Sequence, residues 1–396
     1  MITVEDILAL PAFESVEMVA PCDGAAQREV LNVGILDCPP DYNEYSNYGP
    51  CELIVTNLGF AYDDPALAER SLLAMIERNV AAIAVKTVYQ APVSQAVCAA
   101  SSAAGVPVYL YEGAFHERVA YESLDLIQRD RLAADKSKAI DELLTLRGGG
   151  AVREALHDLA GATGATVLCV ASRPIAHDAS SFYATMNVIQ STLSALLKDR
   201  SIVETLSVCR YGDNILAFVS CVSSSESKRH ALMRRCSQLL GTIGSLHSGM
   251  SDLQWIDNGD IAIRQALSAA DTAFQVGRAL MPWADMRFSA FAQAARSDRL
   301  YQCISRDGKA KLAAYDEDHG TNLIETMLAL VRAQGNVRTV AEDMFQHPNT
   351  IRYRLRKAKS LMGMDAASDH VFMSYLNLVF LGELTDFDCQ LGLLDE

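Results

Sequence analysis

Short apolar runs alternate with amphipathic stretches along the first 120 residues. Residues 53–55, 81–85 and 106–110 are continuous apolar runs of strand length, and residues 65–78 and 93–104 repeat apolar positions at helical spacing. Strands that alternate with helices are typical of an α/β domain with a parallel sheet. We therefore predict an α/β domain over residues 1–125.

A charged stretch with apolar residues at near-helical spacing follows, between about residues 121 and 146, and Gly148-Gly149-Gly150 comes after it. We predict a connecting helix and a glycine hinge over residues 126–150. An amphipathic stripe shows only that some surface covers it. The helix is therefore either the last one of the first domain or a connector that dimerises or carries a signal.

Residues 151–305 repeat the α/β pattern. The predicted strands are 165–171, 206–210 and 215–220, and the predicted helices are 152–159, 181–197, 228–241 and 260–278. Gly212-Asp213-Asn214 joins two strands with residues that favour a hairpin turn. The segment Arg306-Asp307-Gly308-Lys309 predicts a turn before the third unit.

An all-α domain is predicted over residues 318–385. Its first three helices are expected at about 322–334, 338–345 and 349–362, with Gly335-Asn336 ending the first and Pro348 at the start of the third,. Two short helices joined by a tight turn are typical of a helix-turn-helix. The apolar run 371–381 predicts a buried helix or a dimer-forming surface.

The third of these helices has two different sides. At about 100° per residue, Ile351, Leu355, Ala358 and Met362 form one apolar stripe, which predicts the core face. The remaining side is polar and basic: Asn349, Tyr353, Arg356 and Lys357 point away from the stripe, with Thr350 and Arg352 on its flanks. Arg354 lies at the edge of the core, where it is expected to pair with Glu342 or Asp343 or to reach a phosphate.

Charge is distributed unevenly along the 396 residues, a length that predicts two or three domains,. The net charge of −15 would by itself argue against a nucleic-acid partner,. Residues 1–120, however, have a net charge of −11, whereas residues 332–359, with seven bases and two acids, have +5. Five acids without a base follow over residues 383–396, and residues 386–396 are interpreted as an acidic tail. A basic island of this kind indicates a surface for a polyanion.

The chemistry of the third helix favours DNA. A helix fits the major groove, where Asn and Arg bind base edges, while Lys, Thr and Tyr hold phosphates. Five of the eight residues 352–359 are basic and none is acidic. The alternative is a solvated basic helix without a partner.

The run from Thr339 to Leu355 closely resembles the C-terminal helix-turn-helix of the PucR/CdaR group of bacterial transcription regulators. The positions that match the family pattern are His347, Asn349, Thr350, Tyr353, Arg354 and Leu355. Phe345, where Leu is usual, Val340-Ala341, and Pro348, where a base is common, depart from it. With the charge pattern, the resemblance implies these DNA-binding residues: His347, Asn349, Thr350, Arg352, Tyr353, Arg354, Arg356 and Lys357.

The rest of the chain is similar to the same family. Residues 33–36 and 49–57 resemble its N-terminal purine-catabolism-regulator domain, with Cys51 and Asn57 as departures, which implies a sensory role. The polar, aromatic-rich loop 41–49 is either a lid over an effector pocket or a plain surface loop. The candidate effector-binding residues are Tyr45, Tyr48, Glu52, Thr56 and Asn57.

The middle of the chain resembles the GGDEF-like domain of these regulators. The turn Arg210-Tyr211-Gly212-Asp213-Asn214 has one of the two glycines of true cyclases and lacks the Glu, and residues 166–170 lack the metal-binding Asp. Two magnesium ions require oxygen ligands that are missing. We expect no cyclase activity, no metal and no cofactor. His177-Asp178 beside Ser172 lacks a nucleophile elbow and is interpreted as a polar loop.

The sequence has neither a secretory signal nor an apolar run of membrane-spanning length, which predicts a cytoplasmic protein without a membrane partner,. Its ten cysteines show no metal-binding spacing and are expected to be reduced, mostly buried thiols,.

Together these features predict a ligand-responsive transcription regulator of the PucR type, not an enzyme, that controls a catabolic operon. Its expected partners are double-stranded operator DNA, a small-molecule effector and further copies of itself in a homodimer or higher homo-oligomer. The alternatives are a nucleotide-metabolising enzyme of the GGDEF type and an interaction scaffold that has lost DNA binding.

Overall fold

The computed structural model describes residues 1–40, 44–89, 93–175, 179–222, 225–244 and 246–391. The chain divides into two compact units. The first consists of Met1–Thr145, Pro174–Ser191 and Val208–Asp213, and the second consists of Leu146–Arg173, Thr192–Ser207 and Asn214–Glu396.

The N-terminal region is a five-stranded α/β sheet. Its elements are α1 (Val4–Leu8), β1 (Phe13–Met18), β2 (Asn32–Ile35), β3 (Glu52–Thr56), α2 (Pro65–Glu77), β4 (Ala82–Lys86), α3 (Gln95–Ala104), β5 (Val108–Gly113) and α4 (His116–Thr145). The strand order is β1-β5-β4-β3-β2, with β2 to β5 parallel and β1 antiparallel to β5. The predicted α/β region is therefore present, and β1 is an edge strand that the apolar pattern did not predict.

Both faces of this sheet are covered, which explains the continuous apolar runs. Leu53 and Val55 pack in a core with α1 and α4, whereas Ile54 and Ile83 pack in a second core with α2 and α3. Asp64 caps α2 by accepting the Leu67 N–H, and Pro65 occupies the first turn of the helix,.

Helix α4 is 30 residues long and belongs to the first unit throughout its length. It covers the predicted helix at 121–146 and begins five residues earlier. Gly148 follows with φ of 116°, a backbone conformation that favours glycine,. The next helix starts at Gly149.

The middle region is a second α/β arrangement. Its elements are α5 (Gly149–Ala160), β6 (Thr166–Pro174), α6 (Ala179–Leu193), β7 (Val203–Tyr211), β8 (Asn214–Cys221), α7 (Glu226–Leu240), β9 (Leu246–Met250), β10 (Gln254–Trp255), α8 (Gly259–Gln275) and β11 (Leu280–Pro282). The strand order is β11-β9-β6-β8-β7, and β10 pairs with β6. β6 is antiparallel to β8, and β9 is parallel to β11. The predicted turn falls between β7 and β8.

The C-terminal region is helical in the part that the structure describes. Its helices are α9 (Phe288–Ser297), α10 (Arg299–His319), α11 (Leu323–Arg332), α12 (Val337–Asp343), α13 (Pro348–Leu361), α14 (Asp369–Val379) and α15 (Phe387–Gln390). One core joins α11 to α14, with Met327, Val340, Ile351 and Phe372 all buried.

The turn predicted at Arg306–Lys309 is wrong, because these residues lie inside the 21-residue helix α10. Gly308 has a packing role instead. A Cβ atom built there would lie 3.2 Å from Cγ2 of Val379 in α14, so the missing side chain lets the two helices approach closely. On the same face of α10, Ser305 donates a hydrogen bond of 2.8 Å to the Val379 carbonyl.

Several acids of the C-terminal segment are structural. Buried Asp388 accepts the backbone N–H groups of Arg287, Phe288 and Ser289 at 2.8–3.0 Å, and so caps the start of α9,. Glu383 pairs with Lys309, and Asp386 lies 3.5 Å from Arg332. Residues 386–391 of the predicted tail therefore belong to the fold, and residues 392–396 lie outside the described part.

All ten cysteines are free thiols, but only four of them are buried and Cys38 and Cys389 are exposed. The expectation of mostly buried thiols is therefore wrong. Among the residues that the structure describes, we find no helix that is long and apolar enough to cross a membrane.

Candidate nucleic-acid interface

Helices α12 and α13 are joined by a tight turn. The Gln346 N–H donates to the Ala341 carbonyl at 2.8 Å, which closes the end of α12. Phe345 occupies the left-handed region with φ of 52°, and its side chain is 94% exposed. Phe345, one of the residues that depart from the family pattern, thus lies in the turn between α12 and α13.

His347 caps α13. Its Nδ1 accepts the Asn349 N–H at 3.2 Å, and Pro348 occupies the first turn, where its missing N–H costs nothing,. Because Nδ1 is an acceptor, the neutral ring carries its proton on Nε2, where it can be donated to another group. His347 therefore combines a structural role with an Nε2 donor at the start of the helix,.

The inward face of α13 is the predicted stripe. Ile351 and Ala358 are fully buried, and Leu355 and Met362 pack partly buried against the same core. The helical wheel derived from the sequence is confirmed at these four positions.

The outward face presents polar and basic side chains. Asn349, Arg352, Tyr353 and Arg356 are exposed, whereas Thr350 is partly buried. Nη1 of Arg352 donates to Oδ1 of Asn349 at 3.0 Å, so these two side chains support each other. Neither Arg352 nor Arg356 forms an ion pair with any residue in the described part of the chain. Both cations are therefore available to an external anion.

Arg354 is directed to α11 instead of α12. Its Nη1 donates to Oγ1 of Thr326 at 2.9 Å, and buried Thr326 in turn donates to the Asn322 carbonyl. The expected pairing with Glu342 or Asp343 is wrong. Thr326 is a positioning residue that the sequence did not indicate, because a single Thr on an apolar helix face carries no signal.

Lys357 lies against α10. Its Nζ is 4.6 Å from the centre of the Tyr315 ring, and that ring stacks on His319 at 4.0 Å. This contact is a cation–π interaction. The wheel placed Lys357 away from the apolar stripe, but it could not place α10 beside it.

The candidate effector residues lie in the first unit, and all five make hydrogen bonds there. Tyr45 donates to the Cys38 carbonyl, Tyr48 to the Ile35 carbonyl at 2.6 Å, and buried Thr56 to the Leu36 carbonyl. Burial raises the pKa of Tyr48 to about 12. These three bonds hold the chain between β2 and β3 in place.

Glu52 and Asn57 also support local backbone. Glu52 accepts the Gly49 N–H at 2.9 Å, and Asn57 accepts the Gly59 N–H at 2.8 Å. Residues 41–43 of the predicted loop lie outside the described residues. An effector role for the five residues remains a prediction.

At the turn that resembles the GGDEF signature, Arg210 pairs with Asp130 at 3.0 Å, and Tyr211 donates to Asp141 at 2.7 Å. Both partners belong to α4. No group of three or more His, Cys, Asp or Glu side chains in the described ranges is arranged to hold a metal ion. His177 and Asp178 lie outside these ranges.

The geometry of α11 to α14 is that of a helix-turn-helix DNA-binding domain. The family model of the PucR C-terminal helix-turn-helix domain matches residues 323–378, which begin with α11 and reach into α14. The chain therefore carries a PucR-type helix-turn-helix domain, and the resemblance found at residues 339–355 is confirmed.

The chain is also similar to individual proteins. It is 33% identical over 70 residues to the DNA-binding transcriptional activator AdeR of Bacillus subtilis (strain 168), and the match spans 17% of each chain. A solved structure, the regulator of polyketide synthase expression from Bifidobacterium adolescentis, is 18% identical and aligns with 64% of this chain and 99% of its own. The TM-score of that alignment is 0.30.

Proposed function

We propose that this protein is a DNA-binding transcription regulator in which α13 is the recognition helix. The observation that supports this most directly is the outward face of α13, where Asn349, Arg352 and Arg356 are exposed beside a fully packed inner face. A surface of this kind combines base-reading amides and guanidinium groups with phosphate-binding cations.

The proposed roles follow from the position of each side chain. Asn349 and Arg352, in the first turns of α13, enter the major groove, where Asn pairs with adenine and Arg with guanine. Their mutual hydrogen bond limits their free rotation before DNA arrives, which lowers the entropy cost of binding,. Thr350, Tyr353, Arg356 and Lys357 contact phosphates, with the Nε2 donor of His347. Arg354 positions the helix through Thr326.

The rest of the proposal comes from the family resemblance. The N-terminal domain senses a small effector, the GGDEF-like middle domain has no cyclase activity, and the protein acts in the cytoplasm on a catabolic operon. A homodimer places two recognition helices in successive major grooves, about 34 Å apart for half-sites separated by one turn. The AdeR likeness is consistent with regulation of transcription but concerns only its 70-residue match.

The experiment is a fluorescence-polarisation titration of the full chain with DNA from upstream of its own gene, repeated at several salt concentrations. A regulator binds at least one fragment with an affinity that falls steeply with salt, because bound counterions are released. Mapping of bound DNA across the genome then identifies the operator. If no genomic fragment shows salt-sensitive binding, the scaffold alternative replaces this proposal.

An assay for cyclic dinucleotide formation from GTP with magnesium separates the enzyme alternative. Robust turnover would contradict the assignment of the middle domain.

A further inference from the structure

A cavity of about 620 Å³ lies beside the helix-turn-helix, between α10, α11 and residues 380–383. We call it the α10–α11 pocket. Its volume is within the range of small-molecule sites. All its lining residues belong to the second unit, and none of them is among the proposed DNA contacts.

The pocket has an apolar lining. Ile324 and Leu328 come from α11, Phe380 from the end of α14, and Ala310 and Ala313 from α10. A ligand that fits here needs an apolar body, because burial of apolar surface against these side chains supplies the driving force.

Cations surround this lining. Arg296, Arg306 and Lys309 border the pocket, and Glu383 is the one carboxylate among its lining residues. Glu383 pairs with Lys309, which leaves the two arginines. The Arg296 guanidinium has no hydrogen bond within the described ranges, but it interacts electrostatically with Asp271. Arg306 donates to Sγ of Cys303 at 3.7 Å and lies 3.8 Å from the exposed Asp307. The pocket therefore favours an anionic group.

Glu383, which lines the pocket, also has an unsatisfied acceptor. Oε2 of Glu383 is buried and has no hydrogen-bond partner among the residues that the structure describes. A buried acceptor without a donor costs free energy, so a ligand N–H or O–H at this atom would be favourable.

We propose that the α10–α11 pocket binds an amphipathic organic anion. Its carboxylate or sulfonate lies at Arg296 and Arg306, its aromatic or branched aliphatic body lies on Ile324, Leu328 and Phe380, and a hydrogen-bond donor reaches Glu383.

Both helices that line the pocket, α10 and α11, also contact the proposed recognition helix α13. Tyr315 of α10 holds Lys357, and Thr326 of α11 holds Arg354. Asp316 connects the walls, since it accepts the Leu323 N–H at 2.7 Å. A ligand that prefers one spacing of α10 and α11 therefore shifts the position of α13. This regulatory consequence rests on the proposed DNA-binding function, whereas binding of the anion does not.

The first test is titration of the full-length protein with 8-anilinonaphthalene-1-sulfonate, whose sulfonate, N–H and aromatic rings match the three features. We expect one saturable site per chain. 3-Phenylpropionate should displace the probe, whereas the uncharged 3-phenylpropan-1-ol should be weaker by about tenfold, because it lacks the anion. If the acid and the alcohol displace the probe equally well, the pocket does not select an anionic group and this part of the proposal is wrong.

Two exposed alanines supply a matched pair of variants. Ala313 lines the pocket, and Ala314 is exposed but does not line it. Ala313→Trp should fill the pocket and weaken probe binding by about tenfold or more, while Ala314→Trp should bind like the wild type. Arg306→Gln should weaken binding severalfold, and Lys311→Gln, an exposed base on the same helix outside the pocket, should not. Wild-type probe affinity in Ala313→Trp would refute the proposal.

The second test measures DNA affinity with and without 3-phenylpropionate at saturation. We expect a change of about threefold or more in the wild type and none in Ala313→Trp. If the wild type binds the anion at this pocket and its DNA affinity is unchanged, the regulatory part is wrong. If it binds no DNA at all, the proposed function fails, and the probe titration still decides whether the pocket is a ligand site.

Discussion

Arg354 of α13 donates a hydrogen bond of 2.9 Å to Thr326 of α11. This bond joins two helices that are 28 positions apart at these residues, and it uses a basic side chain that the family resemblance placed among the DNA contacts. The five basic residues of α13 therefore fall into two groups. Arg352 and Arg356 face outward, whereas Arg354, Lys357 and Lys359 contact α11, α10 and Asp369 of α14.

Removal of this acceptor should destabilise the helix-turn-helix. In Thr326→Val the shape of the side chain is retained, but Nη1 of Arg354 loses its partner. We expect the free energy of unfolding to fall by about 1–3 kcal/mol and DNA affinity to fall with it. Urea unfolding followed by circular dichroism measures the first effect. Thr339→Val, at an exposed position of α12, is the control and should unfold like the wild type.

Arg356→Ala should weaken DNA binding without changing stability, because the side chain is exposed and has no ion-pair partner within the described residues. The slope of log affinity against log salt should decrease by about 1 if one phosphate contact is lost. Lys311→Ala removes an exposed base from α10 and serves as the control. An unchanged salt slope in Arg356→Ala would exclude this residue as a phosphate contact.

Phe345→Asn should stabilise the protein. Phe345 has φ of 52° and is almost fully exposed, so its backbone is strained and its ring buries little surface. Asn adopts the left-handed conformation more readily, and we expect a gain of up to about 1 kcal/mol in thermal or urea unfolding. Phe345→Val should lower the stability instead, because a β-branched side chain disfavours the left-handed conformation. A loss of stability in Phe345→Asn would mean that the ring makes contacts that outweigh the strain.

Alkaline pH should destabilise the loop around Tyr48. Burial raises the pKa of Tyr48 to about 12, above its ordinary value of 10.0. The unfolded chain therefore loses this proton first, and the stabilising contribution is complete below pH 10 and disappears as the pH rises towards 12. Spectrophotometric titration of tyrosinate measures the pKa, and Tyr48→Phe should remove one late-titrating group. That variant also loses the bond to Ile35, so its stability at pH 7 should be lower by about 1 kcal/mol. Titration of every tyrosine near pH 10 in the folded protein would contradict this account.

Much of the fold follows from hydrophobic periodicity. The strands at 53–55 and 81–85 were predicted because the sheet is covered on both faces, and α13 because its apolar stripe is regular. Strand β9 was missed, since its sequence Leu-His-Ser-Gly-Met is not apolar. Ser248 in β9 and Ser172 of β6 are both buried, and their hydroxyl groups share a hydrogen bond of 2.8 Å. A hydropathy pattern does not detect a buried polar pair of this kind.

The candidate site was predictable to a similar extent. The outward residues of α13 followed from a helical wheel, because that face depends on one helix only. Thr326 and Tyr315 were not predictable, since their roles depend on which helices pack against α13. The turn predicted around Gly308 was wrong for the same reason. From the sequence alone, a glycine that permits close contact with Val379 cannot be distinguished from a glycine that forms a turn.

The buried Asp388 carboxylate affects the order in which the protein can fold during synthesis. It caps α9 from a position 99 residues beyond Ser289. The start of α9 therefore lacks this cap until residue 388 has left the ribosome, although domains nearer the N-terminus can fold earlier. The helical region that contains α13 is therefore complete only after residue 388 has been synthesised, so a chain that stops before this residue lacks a buried carboxylate that the region uses to hold α9.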